Sequence, residues 1–442
     1  MKKKYFLLSL FLLTNSICGF AQNSQLTVFN KIVFYDGYAA TSTAATPAGV
    51  IRLENSRYAK KLSTADITSM QNTLSLDVKI NALCDNYDRQ GGVFLAFVPS
   101  GEAITSPNKK TIEIGRFITP FMNKNIAPNE VSYNYDLNHL MGLFKDQTFL
   151  QKYDVWVEFF LFGVPYAAQT QISGCSGRTD VFEGTVTFSS DANVNPVSDY
   201  IPKPLWSRLR MNKTNDSDFP GTAGRVFYFS NDTQLVDASV HLITSAHGAG
   251  QNGEEYVRRK HFVYFDDVEV TNYTPGGLSC EPFRKYNTQA NGIYGNNVQS
   301  AAWWANWNNW CPGDKIPNRL IGVGDINPGE HSFKVSVPTG QFPNTNDEIF
   351  LSAFIYSKDN VVLDTEKVQT IDYKVYPNPT KDIIMVNASA DVRKMKVTDV
   401  NGRQLMNETA SSLNIQTLPA GIYFLQIEFE NGLKTTEKII KN

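Results

Sequence analysis

Asp88 stands between an aromatic ring and a cation in Cys84-Asp85-Asn86-Tyr87-Asp88-Arg89, and a second polar-rich segment, Glu113-Ile114-Gly115-Arg116-Phe117-Ile118-Thr119-Pro120-Phe121, lies shortly after it. Carboxylates serve as general acid and general base when their surroundings push their proton affinities apart. The residues alone also admit a plainer account, an Asp88–Arg89 ion pair at a surface turn, worth about 0–1 kcal/mol. Glu158 is the second carboxylate of interest. It interrupts the apolar strand Trp156-Val157-Glu158-Phe159-Phe160, where a lone charge is costly unless it is paired or functional. Strand alternation puts it on the face of Trp156 and Phe160, where it either answers a buried arginine or does chemistry. Gly253-Glu254-Glu255-Tyr256-Val257-Arg258-Arg259-Lys260-His261 supplies further charges, and Glu254, Arg258 and Lys260 read as solvated surface.

Other chemistries find little support. The five histidines, His139, His241, His247, His261 and His331, include no pair at His-Glu-x-x-His spacing. No Gly-x-Ser-x-Gly elbow and no phosphate-cradling loop occur. With 41 basic and 43 acidic residues among 442 and no Lys/Arg cluster interleaved with aromatics, nucleic acid is not an expected partner. Cys84, Cys175, Cys280 and Cys311 lack close Cys-x-x-Cys or Cys/His spacing, which argues against zinc. They read as disulfides with three possible connectivities.

Lys2, Lys3 and Lys4, the apolar run from Tyr5 to Leu13 and the small residues before Gln22 predict a cleavable export signal over residues 1–21. The mature chain is therefore expected to be soluble and exported. Strand patterns dominate the chain beyond this signal. Leu74–Ile80, Val93–Val98 and Val155–Leu161 belong to a first unit, expected over 22–197. Gly224–Phe229, Ala238–Ile243, Lys260–Val270, His331–Val337 and Glu348–Tyr356 belong to a second, expected over 198–365. Only Asp136–Lys145 reads as helix, and Ser189–Pro204 reads as a linker. Many short strands with Gly, Pro and Asn turns indicate an all-β chain of sandwiches or jelly rolls. The last segment, 366–442, carries Tyr376-Pro377-Asn378-Pro379, an Asn401-Gly402 hairpin signal and a terminal Lys438-Ile439-Ile440-Lys441 strand.

Cys-Asp-x-aromatic-Asp-Arg and then Glu-Ile-Gly-Arg-Phe-Ile-Thr-Pro-aromatic resemble the bacterial peptide N-glycosidase F family, in the family's order and near its separation. The resemblance spans roughly Gln25–Ser357. It implies two consecutive eight-stranded antiparallel jelly rolls packed side by side, acting as a monomer without metal or cofactor. The implied reaction is hydrolysis of the amide between an asparagine side chain and the first N-acetylglucosamine of N-linked glycoproteins and glycopeptides. Asp88, Glu158 and Glu255 match the family's essential carboxylates, with Glu254 one position away from Glu255. Tyr87, Arg89, Ile118, Phe160, His247, Tyr256 and Trp310 fall at or beside family substrate positions. Asp88 is expected to contact the first sugar and activate the hydrolytic water. The resemblance also implies a Cys280–Cys311 bridge, which leaves Cys84 to Cys175.

Two departures from the family pattern stand out. Gly253 and Val257 replace a cysteine pair, and Trp303, Trp304 and Trp307 precede Trp310 without the family's arginine. Residues 366–442 resemble a type A C-terminal sorting domain of the Bacteroidetes type IX secretion system, which makes that export machinery an expected partner. A non-catalytic glycan-binding protein on the same scaffold and an endoglycosidase are the competing readings.

Overall fold

The computed structural model describes residues 24–192, 201–213, 218, 223–291, 293–306, 309–357, 373–399, 403–430 and 434–442. The expected export signal, Trp307 and the Asn401-Gly402 turn lie outside them.

Two antiparallel sheets make the first unit. Ser24–Tyr35, Asp180–Ser190, Ser75–Ala82 and Glu130–Asp136 lie side by side in one. The other runs Lys110–Ile118, Gln90–Pro99, Tyr153–Leu161, Arg57–Lys61, Val50–Glu54. Their inner faces bury Phe34, Val78, Leu95, Val157 and Phe159 in one core, and Phe34 meets Tyr58 and Phe159 edge-on. This is the sheet-on-sheet packing that alternating strands require. Nine strands are contributed by this unit among the described residues, where eight were expected. Gln90–Pro99 is buried on both faces, which explains its unbroken apolar run: Val93, Leu95 and Phe97 face the main core, and Ala96 and Val98 pack under Ile104 and Trp156.

The second unit pairs Ile201–Asn212, Glu348–Ser357, Leu235–His247 and Arg319–Ile326 in one sheet, and Ala223–Asn231, Gly329–Val337, His261–Phe265 and Val268–Tyr273 in another. Trp206, Val240, Leu242, Val263, Phe333 and Leu351 fill the space between. Two expectations are corrected here. Lys260–Val270 is a hairpin, because Asp266 and Asp267 take φ of 47° and 62° and turn the chain. Pro202 and Pro204 belong to a strand rather than to a linker, pairing with Tyr356 and Phe354. Their strand lies at a sheet edge, where a missing N–H is tolerated.

Three- and four-stranded sheets over 373–441 surround a separate small core of Ile384, Met395, Leu425, Ile427 and Ile439. The expected helix is a 3₁₀ helix, Asn138–Phe144. Short helices at Thr64–Ser69 and Gln147–Lys152 were not expected, although Ser63 and Asp146 cap their first turns. Among the described residues no helix is long and apolar enough to cross a membrane.

A buried polar staple joins the first two units. Arg116 binds Glu113 through Nε and Nη2 (2.9 and 2.6 Å) and reaches across to Ser245 Oγ (2.8 Å), the Phe350 carbonyl (3.0 Å) and Ser352 Oγ (3.2 Å). Lys315–Ile316 adds a short strand beside Phe117 and Arg116. Half of the Glu-Ile-Gly-Arg motif is therefore structural. Both disulfides are present, Cys84–Cys175 and Cys280–Cys311.

Candidate active site

The turn that carries Asp88 is held from both sides. Thr119 Oγ1 accepts from the Arg89 amide (2.7 Å) and donates to the Tyr87 carbonyl (3.1 Å), while its own amide donates to the Arg89 carbonyl (2.8 Å). Arg89 pairs with Asp85 in a two-pronged contact (Nε–Oδ2 2.6 Å, Nη2–Oδ1 3.3 Å) and also donates to the Val164 carbonyl (3.4 Å). Asp85 further accepts from the Val164 and Tyr87 amides. The Asp88–Arg89 ion pair allowed by the residues alone is thus replaced by Asp85–Arg89. Asp88 makes no salt bridge among the described residues.

Asp88 is part-exposed yet so densely surrounded that burial raises its pKa well above the usual carboxylate range, and the charge of Glu255 raises it further.

Glu255 sits on a compact loop at the end of Leu235–His247. Gly248, at φ +124°, donates its amide to Glu255 Oε2 (3.4 Å). A Cβ on Gly253 would lie 2.1 Å from the Gly248 carbonyl, so this loop closes by backbone contact where the family has two cysteines. Glu254 is the anchor. It is fully buried, binds Arg259 Nε at 2.5 Å, and accepts from the Gln341 and Phe342 amides (3.0 and 2.9 Å). Asn309 Nδ2 clamps the Glu254 and Glu255 carbonyls (2.7 and 2.9 Å). With Glu254 engaged below, Glu255 is the carboxylate turned toward Asp88. Burial raises its pKa; hydrogen bonds from Gly248 and Tyr256 oppose the rise and Asp347 adds to it. Both carboxyls are raised, and the charge of Glu255 adds to the rise of Asp88, so the pair holds a proton above the ordinary carboxylate range. Tyr256 and Tyr294 both sense the Asp88 charge. Tyr294 was not anticipated, and nothing in its local sequence marks it.

The remaining expected residues divide by position. Tyr87 is 43% exposed, with its ring 5.8 Å from Phe121 and beneath the Arg89 guanidinium (5.2 Å). His247 accepts or shares protons with Ser245 Oγ (2.8 Å) and Gln90 Nε2 (3.2 Å). Burial, with Arg116 and Arg208 nearby, lowers its pKa to about 3, so the imidazole is neutral. Trp310 and Ile118 are buried together with Ile243 and Ile316, and Trp310 Nε1 donates to the Ala246 carbonyl (2.8 Å). They form the floor between the units and offer a ligand little surface. Phe160 lies between the guanidiniums of Arg57 (5.1 Å) and Arg208 (4.4 Å).

Glu158 does not join the Asp88–Glu255 pair. Its partners are Arg57 Nη1 (2.7 Å) and Lys109 Nζ (2.6 Å). It stands opposite Phe94, four residues into the strand Gln90–Pro99, whereas Asp88 lies in the turn before that strand begins. The buried-arginine alternative describes its surroundings.

Residues 25–176 match the family model for the N-terminal part of peptide-N-glycosidase F, and 219–356 match the model for its C-terminal part. The chain belongs to the peptide-N-glycosidase F family. Residues 374–442 match a secretion system C-terminal sorting domain. The chain is similar to the peptide-N(4)-(N-acetyl-beta-D-glucosaminyl)asparagine amidase F of Elizabethkingia miricola, 24% identical over 315 residues that cover 67% of this chain and 76% of the relative. Among solved structures it resembles PNGF-II, with TM-score 0.55 and 19% identity over 76% of this chain. It spans 65% of the PNGF-II chain, just under two thirds. It also resembles a crystal structure of peptide-N(4)-(N-acetyl-beta-D-glucosaminyl)asparagine amidase, with TM-score 0.50 and 16% identity, covering 77% of this chain and 97% of that one. These likenesses place the two sandwiches of the chain within the fold of the peptide-N-glycosidase F family.

Proposed function

We propose that this family member is an exported amidase that hydrolyses the bond between an asparagine side chain and the first N-acetylglucosamine of an N-glycan. The products are aspartate in the polypeptide and the glycan as its glycosylamine. The observation that carries this reading is the Asp88–Glu255 pair, two carboxyls from different units with raised proton affinity and no cation partner at salt-bridge distance among the described residues. Amide hydrolysis needs a base to take a proton from water and an acid to deliver one to the departing nitrogen. A carboxyl pair that retains a proton supplies both. One carboxyl of the pair takes a proton from the water attacking the amide carbon, and the other protonates the nitrogen as the C–N bond breaks. Tyr87 offers the exposed ring for a sugar face. Glu158 supports the site through Arg57 and Phe160 rather than reacting, which revises its expected role. Export proceeds through the type IX machinery, read from the sorting domain, to the cell surface or beyond.

The test is to incubate a denatured N-glycoprotein with the protein and weigh the products. Loss of the whole glycan with conversion of Asn to Asp supports the amidase. One sugar left on asparagine identifies an endoglycosidase, and unchanged mass with retained glycan binding identifies a lectin.

A further inference from the structure

Five side chains form a continuous strip that begins at the Asp88 turn and runs out across the first unit. The Tyr87 ring lies 5.2 Å from the Arg89 guanidinium, and that guanidinium lies 5.9 Å from the Phe162 ring. Phe162 meets Tyr38 edge-on at 5.3 Å, and Tyr38 is 6.5 Å from Tyr166. Tyr38 and Tyr166 are 72% and 64% exposed. Single exposed apolar side chains are ordinary, whereas a contiguous aromatic surface joined to a site marks a place where something binds.

Hydrogen bonds from behind hold these rings in place. Tyr38 stands on a loop that Asn55 gathers from within: its Nδ2 donates to the Asp36 and Ala40 carbonyls (2.8 and 3.1 Å), and its Oδ1 accepts from the Ser42 amide (2.8 Å). The Gly37 amide donates to the Gly163 carbonyl (2.9 Å), and a Cβ on Gly37 would lie 2.6 Å from Phe162, so that ring is seated against bare backbone. Tyr166 follows Val164, whose amide donates to Asp85 Oδ2 (2.7 Å) and whose carbonyl accepts from Arg89 (3.4 Å). The pair that frames Asp88 thus also fixes the loop that carries Tyr166, and the Cys84–Cys175 bridge ties the far end of that loop beside Asp85. Rings held this way have little freedom left to lose on binding.

Resting on the amidase reading, we propose that Tyr38 and Tyr166, seated beside Phe162, bind the outer, uncharged sugars of the N-glycan whose first residue lies at Tyr87 and Asp88. An aromatic face accepts the C–H face of a pyranose, and a tyrosine adds a hydroxyl at the rim of the same contact. The strip starts at Tyr87, so a saccharide seated there continues onto rings of the same kind. Charge favours an oligosaccharide over a polypeptide as the occupant. No charged residue occurs over 37–51 or 162–177, and the Arg89 guanidinium is already paired with Asp85. A neutral, hydroxyl-rich chain suits such a surface, whereas a polypeptide of mixed charge or an anionic glycan arm would meet no counter-charge on these segments.

The test compares glycopeptides that carry either an N-linked N-acetylglucosamine disaccharide or the same disaccharide extended by a branched mannose arm, each on a short and a long peptide. All are assayed with the full chain and with its double variant Tyr38→Ala/Tyr166→Ala, whose fold is checked by unfolding temperature. The double variant is expected to lower kcat/KM about tenfold on the extended glycan, through KM, and to leave the disaccharide substrate unchanged. Tyr38→Phe/Tyr166→Phe, which keeps both rings, should retain most of the preference for the extended glycan. Equal losses on both glycans, no loss on either, or a loss that follows peptide length rather than glycan length overturns the proposal. Calorimetric titration with the free mannose-bearing oligosaccharide separates this proposal from the amidase reading. If the wild-type protein releases no glycan, that reading fails, while oligosaccharide binding that weakens in the alanine variant still supports the strip. Binding that is absent, or identical in the two proteins, overturns it.

Discussion

Arg89 holds Asp85, not the Asp88 that precedes it: Nε lies 2.6 Å from Asp85 Oδ2, and Asp88 is left without a salt bridge among the described residues. The pair fixes the turn, and the cation that would have neutralised Asp88 is engaged one step away. Asp88 consequently shares its electrostatic fate with Glu255 across the two units.

Asp88→Asn should separate chemistry from stability. General acid–base residues contribute about 10²–10⁴ in rate, and a loss of at least that size in kcat/KM is expected. The folded-state pKa of Asp88 is raised, so its favourable contribution is present at low pH and is lost as pH rises through that raised value. Asp88→Asn removes this loss. Thermal unfolding across pH should show the variant at least as stable as wild type at neutral and alkaline pH, and no more stable in acid.

Arg89→Met tests the turn. Asp85 is completely buried and Arg89 partly so; removing the arginine leaves the buried Asp85 charge unpaired, at a cost of about 3 kcal/mol, the lower end for a broken buried pair. Denaturant unfolding should register that loss together with a fall in activity. Replacing Asp85 and Arg89 together by Asn and Met should recover part of the stability and little of the activity, because Asp88 would still lack its frame.

Much of this was legible in the residues. Period-two alternation located Ser75–Ala82, which buries one face, whereas Tyr153–Leu161 and Glu348–Ser357, buried on both faces, showed as apolar runs rich in β-branched and aromatic residues. The Cys-Asp-x-Tyr-Asp-Arg segment drew attention to Asp88 and the Glu–Tyr step to Glu255, whose reacting roles belong to the amidase reading proposed above. What stayed hidden depends on contacts between distant segments. Arg116 belongs to the polar-rich family motif with no role legible in the sequence and proves to be a staple, because its partners Ser245, Phe350 and Ser352 lie in the other unit. Glu254 reads as solvated surface and proves buried, because Gln341, Phe342 and Arg259 fold over it. Glu158 reads as an active-site carboxylate until strand pairing places Phe94 beside it and Lys109 and Arg57 on it.

Glu158→Gln is therefore expected to act mainly on stability. Its side chain is almost wholly buried while Arg57 and Lys109 keep some contact with water, so the loss should lie near about 3 kcal/mol, the lower end for a broken buried pair. In steady-state kinetics the fall in kcat should be much smaller than that of Asp88→Asn. A fall equal to that of Asp88→Asn in a protein of unchanged stability would restore Glu158 to the reacting set.

The contact between the two sandwiches should be acid-sensitive through its histidines. His139 Nε2 and His241 Nδ1 lie 3.0 Å apart, a geometry that needs at least one neutral ring. Burial lowers the His139 pKa to about 4 and pulls His241 well down. In the unfolded chain both titrate near the ordinary value of about 6.5, so below that pH the unfolded state binds more protons and stability falls as pH drops. The loss for His139 begins near its unfolded pKa and is complete once pH passes its folded value, amounting to about 3 kcal/mol. His139→Asn should flatten the fall in unfolding temperature between about pH 6.5 and 4. Rings protonated separately in solution would leave that slope unchanged, so an unaltered slope in a folded variant would show that the pair does not govern acid stability.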